Sequence, residues 1–235
     1  MSLRYTYLLF FITGLVIFLG GCQESSLLPA DIETGTSYFP LETGQYREYD
    51  IREINYRFDG SIDTATFQLR EEVAGNFTND DGTLTWLLQR FTRPNSNNNW
   101  RLDSVWTARR SAFGAIVTEN NVAFQRLAFP VQEGLSWNGN AFNTLPNQTY
   151  QLVQVNQPFV VNNIRYDSTV TVIQNNLDDP IVGQNIQTEI YARNIGLINK
   201  QSIILQFCTE VECLGQGVIE IGRDFQQRLV ANGKE

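Results

Sequence analysis

The chain contains no histidine. Ser-His and Cys-His nucleophile pairs, and the common histidine metal sites, need an imidazole that changes charge near neutral pH or ligates a metal, so all of them are excluded. Lysine is nearly absent too. Lys200 and Lys234 stand alone, and Lys234 is next to last, which leaves Lys200 as the one plausible base for a Ser-Lys dyad. There is no basic run, and the formal charge is −8. An acidic surface repels phosphate backbones, so nucleic acid is not an expected partner. No phosphate-binding or metal-spaced motif occurs, and no metal or cofactor is expected. For catalysis only a carboxylate pair of the glycosidase type remains, whose competence depends on a separation in space that sequence does not give.

What the chain does have begins at its first residues. Arg4 precedes an apolar block from Leu8 to Leu19, which stops at Gly20-Gly21-Cys22. The block is about 12 residues, against the roughly 20 needed to cross a hydrocarbon core, so an uncleaved anchor helix would need more length. A basic start, a short apolar centre and small residues before a cut form the signal-peptide pattern. Leu19-Gly20-Gly21-Cys22 resembles a bacterial lipoprotein signal, in which a leucine three places before an acceptor cysteine is followed by two small residues. The resemblance implies a signal peptide over residues 1–21 and a mature chain starting at Cys22, carrying three fatty acyl chains of the palmitate type on its sulfur and nitrogen. At about 0.8 kcal/mol per buried methylene, such an anchor is effectively permanent. Loss of Arg4 takes the formal charge to −9, and 214 residues remain, enough for one all-β barrel or sandwich. Residues 22–37 include Ser25, Ser26, Pro29, Thr34, Gly35, Thr36 and Ser37 without apolar periodicity. They read as a flexible tether of about 15 residues, roughly 20 Å as a coil. A single β-domain is expected over 38–235.

With Cys22 given to lipid, Cys208 and Cys213 remain as an even pair, expected in an exported chain to form a disulfide. A hairpin across the four residues between them would set the cysteines directly opposite, at about the 4.5 Å Cα separation of a non-hydrogen-bonded pair.

The folded part carries a repeated phrase. Phe39-Pro40-Leu41-Glu42-Thr43-Gly44-Gln45-Tyr46 returns as Phe129-Pro130-Val131-Gln132-Glu133-Gly134-Leu135-Ser136-Trp137. Proline fixes φ and glycine frees it, so the phrase reads as a turn delivering an aromatic to a strand start. Two similar barrel corners, a ligand motif or a duplication of half-domains would each account for it. The rest alternates as strands: Tyr46 to Phe58, Ser61 to Val73, Thr83 to Arg93, Trp100 to Ala108, Ala115 to Thr118, Val122 to Phe129, Tyr150 to Val155, Ile164 to Gln174, Ile186 to Arg193, Leu197 to Phe207 and Val218 to Val230. Turns fall at Asp59-Gly60, Asn79 to Gly82, Pro94 to Asn99, Asn120-Asn121 and Asn138 to Asn140. At Asp59-Gly60 a two-residue type I′ turn would pair Phe58 with Ser61 and Ile54 with Ala65; a bulge at Arg52-Glu53 would then let Ile51 face Phe67 and Tyr49 face Leu69. No amphipathic helix follows the signal. The fold class is all-β, an antiparallel meander of roughly ten strands curled into a barrel or sandwich.

The phrase at Phe39-Pro40 and the segment Tyr191-Ala192-Arg193-Asn194-Ile195-Gly196-Leu197-Ile198-Asn199-Lys200 resemble uncharacterised Bacteroidota outer-membrane lipoproteins. Those open their mature domain with Phe-Pro-Leu-x-x-Gly-x-aromatic and carry a late Tyr-Ala-x-x-aliphatic-Gly-aliphatic-aliphatic-x-Lys turn. The resemblance implies no activity. It also brings to attention Asp63-Thr64-Ala65, Asp103-Ser104-Val105 and Asp167-Ser168-Thr169, similar to O-glycan acceptors of such bacteria, although each lies inside an expected strand. The expected function is a non-catalytic, lipid-anchored scaffold or interaction module of the cell envelope at the outer membrane, periplasmic or surface-exposed, with the membrane and another envelope protein as partners. The alternative is a carrier of a small apolar ligand, which would place Trp86, Trp100 and Trp106 around an apolar cavity of about 300 Å³ or more. The third is a glycan-acting enzyme, with Trp86, Trp100, Trp106 and Trp137 available to stack on sugars.

Overall fold

The computed structural model describes residues 34–235. The expected signal peptide, Cys22 and the tether as far as residue 33 lie outside the described residues. Twelve strands follow a short 3-10 turn, Thr36–Tyr38: β1 (Gln45–Tyr56), β2 (Ile62–Thr78), β3 (Leu84–Arg93), β4 (Arg101–Arg110), β5 (Gly114–Glu119), β6 (Val122–Ala128), β7 (Ser136–Asn138), β8 (Thr149–Val161), β9 (Ile164–Asp179), β10 (Gly183–Ala192), β11 (Gly196–Phe207) and β12 (Ile219–Lys234). All neighbouring strands are antiparallel, in the order 6-5-4-3-2-1-12-11-10-9-8-7. Two six-strand meanders thus join along β1 and β12. Their free edges also approach: Gln125 N–H donates to Gly139 O at 2.9 Å, and Trp137 Nε1–H to Gln125 O at 2.9 Å. The sheet is therefore a nearly closed barrel, as a strongly twisted sheet of this many strands must curl. Strand alternation was enough to read it apart from β7, which at three residues is too short to show a period.

Each Phe-Pro phrase opens one meander. Gly44 and Gly134 both take positive φ, 86° and 80°, and in both the next N–H returns to the carbonyl three residues back, Gln45 to Glu42 at 3.0 Å and Leu135 to Gln132 at 3.1 Å. Both glycines also donate to the neighbouring strand, Gly44 to Val73 O at 2.8 Å and Gly134 to Leu152 O at 2.9 Å. The glycine turn of the phrase thus recurs at two barrel corners, although the Phe129-Pro130 bond is cis and the Phe39-Pro40 bond is not. Residues 34–37, expected to be tether, fold onto the second corner and the β10–β11 turn. Val131 N–H donates to Thr34 O at 3.1 Å and Asn194 N–H to Ser37 O at 2.7 Å, while Tyr38 is buried.

The first hairpin corrects the expected register. β1 pairs with β2 without a bulge: Tyr56 faces Ile62, Ile54 faces Thr64, Glu53 faces Ala65, Ile51 faces Phe67 and Tyr49 faces Leu69. The loop has three residues, Phe58-Asp59-Gly60, because Arg57 N–H bonds Ser61 O at 3.0 Å and Gly60 N–H bonds Arg57 O at 2.9 Å, with Gly60 at φ 81°. The third loop residue absorbs the offset assigned to the bulge. Asp59 fixes this choice, since its Oδ1 accepts from both Ser61 N–H (2.9 Å) and Ser61 Oγ–H (2.6 Å). Asp81 and Thr83 repeat the arrangement at the next turn, at 2.9 and 2.6 Å. As a result Ile54 emerges on the opposite face from Ile51, and Glu53 takes the inner position.

The expected pairing of Cys208 with Cys213 is present at disulfide distance, Cα to Cα 5.9 Å, but the geometry is not a cross-strand pair. Cys208 N–H bonds Val218 O at 2.8 Å, so the strand partner of Cys208 is Val218; Cys213 sits in the loop, donating to Glu210 O at 3.1 Å. The bridge closes a turn at a longer loop's base.

One end of the barrel is filled. Tyr38, Leu127, Phe129, Tyr150, Leu152, Val170, Val172 and Tyr191 form one buried cluster, and Leu41, Val73, Leu88, Ala108 and Val117 another, with Phe39 touching both. The β8–β9 hairpin bends where Gln154 and Asn156 take positive φ, and its tip reaches β12, Asn162 Nδ2–H donating to Leu229 O at 2.9 Å. Glu133 of the second corner braces the bend by accepting from Gln154 N–H (3.1 Å) and Val155 N–H (2.9 Å).

Candidate functional site

In an antiparallel meander the connections alternate between ends. The β1–β2, β3–β4, β5–β6, β7–β8, β9–β10 and β11–β12 loops therefore share the end opposite the filled one. A cavity of about 470 Å³ opens there, walled by inward positions of most of the strands.

Its floor is a buried ionic network. Glu189 of β10 is 1 % exposed and receives Lys200 Nζ at 2.9 Å, Arg126 Nη1 at 3.5 Å and the Tyr191 hydroxyl at 2.6 Å. Arg126 also holds Glu119, its Nε donating at 2.9 Å. Burial pushes the Glu189 carboxyl upward, but Lys200, Arg126 and the Tyr191 hydroxyl outweigh it and hold it at about 2. Burial raises Tyr191 well above the usual phenol range, with Glu189 adding to the effect, and raises Tyr150 to about 12. Beside this set, Arg47 Nη2 pairs with Glu71 at 2.9 Å, and Arg90 Nε stands 3.8 Å from the other Glu71 oxygen. Nearer the mouth, Arg223 Nε meets Glu53 at 2.8 Å, and this hydrogen bond lowers the Glu53 carboxyl.

Three guanidinium groups lie over rings in the cavity wall: Arg90 over Trp106 at 3.6 Å, Arg126 over Phe124 at 4.6 Å and Arg223 over Phe225 at 4.7 Å. Four glutamines, Gln148, Gln174, Gln187 and Gln227, join Thr92, Asp103, Asn120 and Ser202 in the polar lining, with Phe67, Ile51 and Leu69 in its apolar part. Among the described residues three buried donors of the cavity wall have no acceptor, Arg90 Nε, Trp106 Nε1 and Gln174 Nε2.

The tryptophans thus separate. Trp106 lines the cavity, Trp86 packs on the Leu41 and Val73 cluster, Trp100 lies under Arg93 at 4.0 Å, and Trp137 meets Tyr150 edge-on at 5.8 Å. Lys200 is committed to a carboxylate, which is not the arrangement of a Ser-Lys base. The three Asp-Ser/Thr triplets all lie in strands, β2, β4 and β9. Glu189 and Arg126 carry no sequence signal. They occupy ordinary polar positions of alternating strands, and only barrel closure makes those positions interior.

Around the mouth, adjacent hairpin tips expose apolar side chains. Phe58 and Ile62 flank the β1–β2 tip, Val211 and Leu214 lie in the β11–β12 loop, and Ile181 and Val182 form the β9–β10 tip; Phe58 is 76 % and Val211 90 % exposed.

No family model matches the chain, and no curated protein matches it in sequence. Among solved structures it is similar to a chain from Bacteroides fragilis described as "a putative exported protein with YmcC-like fold", at 12 % identity and a TM-score of 0.46, over 83 % of this chain and 98 % of that one.

Proposed function

We propose that the chain is a non-catalytic, lipid-anchored interaction module of the cell envelope, of the Bacteroidota outer-membrane lipoprotein kind that its motifs resemble, and that it engages another envelope protein through the rim of the barrel mouth. The observation carrying this is the row of exposed apolar side chains on the β1–β2, β11–β12 and β9–β10 tips, which are neighbours in the sheet order. Exposed apolar groups gathered at one end, rimmed by polar residues, are a feature of interaction sites. The folded unit is entered at Thr34, at the opposite end, so a chain tethered through Cys22 presents this rim away from the point where it leaves its tether. The ionic network argues for a structural use of the carboxylates. Glu189 and Glu53 are held ionised by cations, the reverse of what a glycosidase acid needs. The carrier reading finds its volume but not its chemistry, since the lining is charged and only Trp106 of the three tryptophans faces it.

A photo-crosslinking residue at Val211, in cells, tests the reading against the same residue at Asp80, exposed on a turn at the opposite end. A discrete envelope-protein adduct from position 211, absent from position 80, is expected. Equal yields at both positions, or none from 211 and none from Phe58, would refute it.

A further inference from the structure

We propose that the cavity inside the barrel mouth binds a neutral saccharide of one or two rings, a role beyond the docking of the rim and independent of it. Three unpartnered donors set the requirement. Gln174 is 5 % exposed, and among the described residues its Nε2 amide has no acceptor, nor do Trp106 Nε1–H and Arg90 Nε–H. All three line the same cavity, and a buried donor left unpaired is costly, so the site is complete only with an acceptor-bearing guest.

Charge decides what kind of guest. Arg126 and Lys200 are matched by Glu119 and Glu189, Arg223 by Glu53, and Arg90 stands beside Glu71. Arg47 and Arg90 share Glu71, and Asp103 adds a carboxylate to the wall, so the cations and carboxylates of the cavity and its floor balance; no net charge is left to hold a phosphate or carboxylate, and the ion pairs and amides repel an alkyl chain. The glutamine amides instead offer a donor and an acceptor side by side, and a hydroxyl is itself both donor and acceptor, so a polyol satisfies such a lining where an ion or a lipid does not. Phe67 supplies an apolar wall for the C–H face of a ring. At about 470 Å³ the cavity is in the range that holds small molecules.

The experiment uses the full-length protein in a zwitterionic detergent with no sugar headgroup. Glucose, galactose, N-acetylglucosamine, lactose and maltose are titrated calorimetrically, with glucuronate and palmitate as comparison ligands. Saturable binding of at least one neutral sugar is expected, weakened about tenfold or more in both Trp106→Phe and Gln174→Leu, since a site built to hydrogen-bond loses most when one partner is removed. Gln174→Leu loses an unpaired donor at nearly constant volume, so this variant should melt no lower than the wild type, which separates a binding role from a merely structural one; Trp106→Phe also gives up part of the ring under Arg90 and is read by binding alone. In the wild type, the indole N–H resonance of Trp106 should shift with the sugar, a readout that needs no variant. The proposal is overturned if no neutral sugar binds, if only glucuronate or palmitate does, or if sugar binding leaves the Trp106 resonance in place or survives both substitutions.

Discussion

Replacing Glu189 with glutamine tests whether the ionic floor holds the barrel together. The substitution keeps the size of the side chain and removes its charge, leaving Lys200 Nζ without its 2.9 Å partner and Arg126 with Glu119 alone. Glu189 falls from 4.5 to about 2 on folding. At roughly 1.4 kcal/mol per pH unit, that depression corresponds to about 3 kcal/mol of stability. A depressed carboxyl contributes fully above its unfolded value, so the contribution is present above pH 4.5 and is lost as pH falls from there towards 2. Removing one partner of a buried pair costs about 3–5 kcal/mol, and the partial exposure of Lys200 places Glu189→Gln at the low end. Urea unfolding followed by circular dichroism should show the variant about 3 kcal/mol less stable than the wild type at pH 7, the gap closing as the pH is lowered through this window. The double variant Glu189→Gln/Lys200→Met should cost less than the sum of the single changes, because the two groups contact each other. A variant as stable as the wild type at pH 7, or a gap that does not narrow on acidification, would refute the assignment.

Two further outcomes follow from backbone and crosslink geometry. Gly44→Ala and Gly60→Ala share a positive φ, but a Cβ at Gly44 collides with Glu235 O while one at Gly60 meets nothing within 4 Å. In thermal melts Gly60→Ala should cost about 1 kcal/mol, the left-handed penalty alone, and Gly44→Ala clearly more; equal losses would contradict the corner geometry. The Cys208–Cys213 loop is short, so Cys208→Ser should lose at most about 2 kcal/mol. Two alkylatable thiols at Cys208 and Cys213 in the denatured, unreduced protein would show that the bridge does not form.

Strand and turn positions were legible because Asp59-Gly60, Asn79 to Gly82 and Asn120-Asn121 punctuate runs of period two, and the Phe-Pro corners announce themselves by repetition; the pairing of β1 with β12, which leaves β6 and β7 as the edges, was not. The register of the first hairpin was legible only in part. A two-residue turn with a bulge and a three-residue turn without one place Ile51 and Tyr49 opposite the same partners, Phe67 and Leu69, and differ only nearer the loop. The interior was not legible. Along β10, Gln187 and Glu189 line the barrel while Ile190 clusters with Val161 of the β8–β9 hairpin, so alternation separates the two faces without saying which one is inside. For the same reason Trp106 and Arg90, 16 residues apart, meet only through the pairing of β3 with β4.

The claim that this barrel works from a membrane is decided at Cys22. Cells expressing the full chain should be fed a labelled palmitate and fractionated, beside cells expressing Cys22→Ala. The wild-type protein is expected to carry the label and remain with the outer membrane, and the variant to accumulate as an unlabelled precursor retaining residues 1–21. A Cys22→Ala protein that is processed normally and stays with the outer membrane would contradict the anchor and the interaction module built on it.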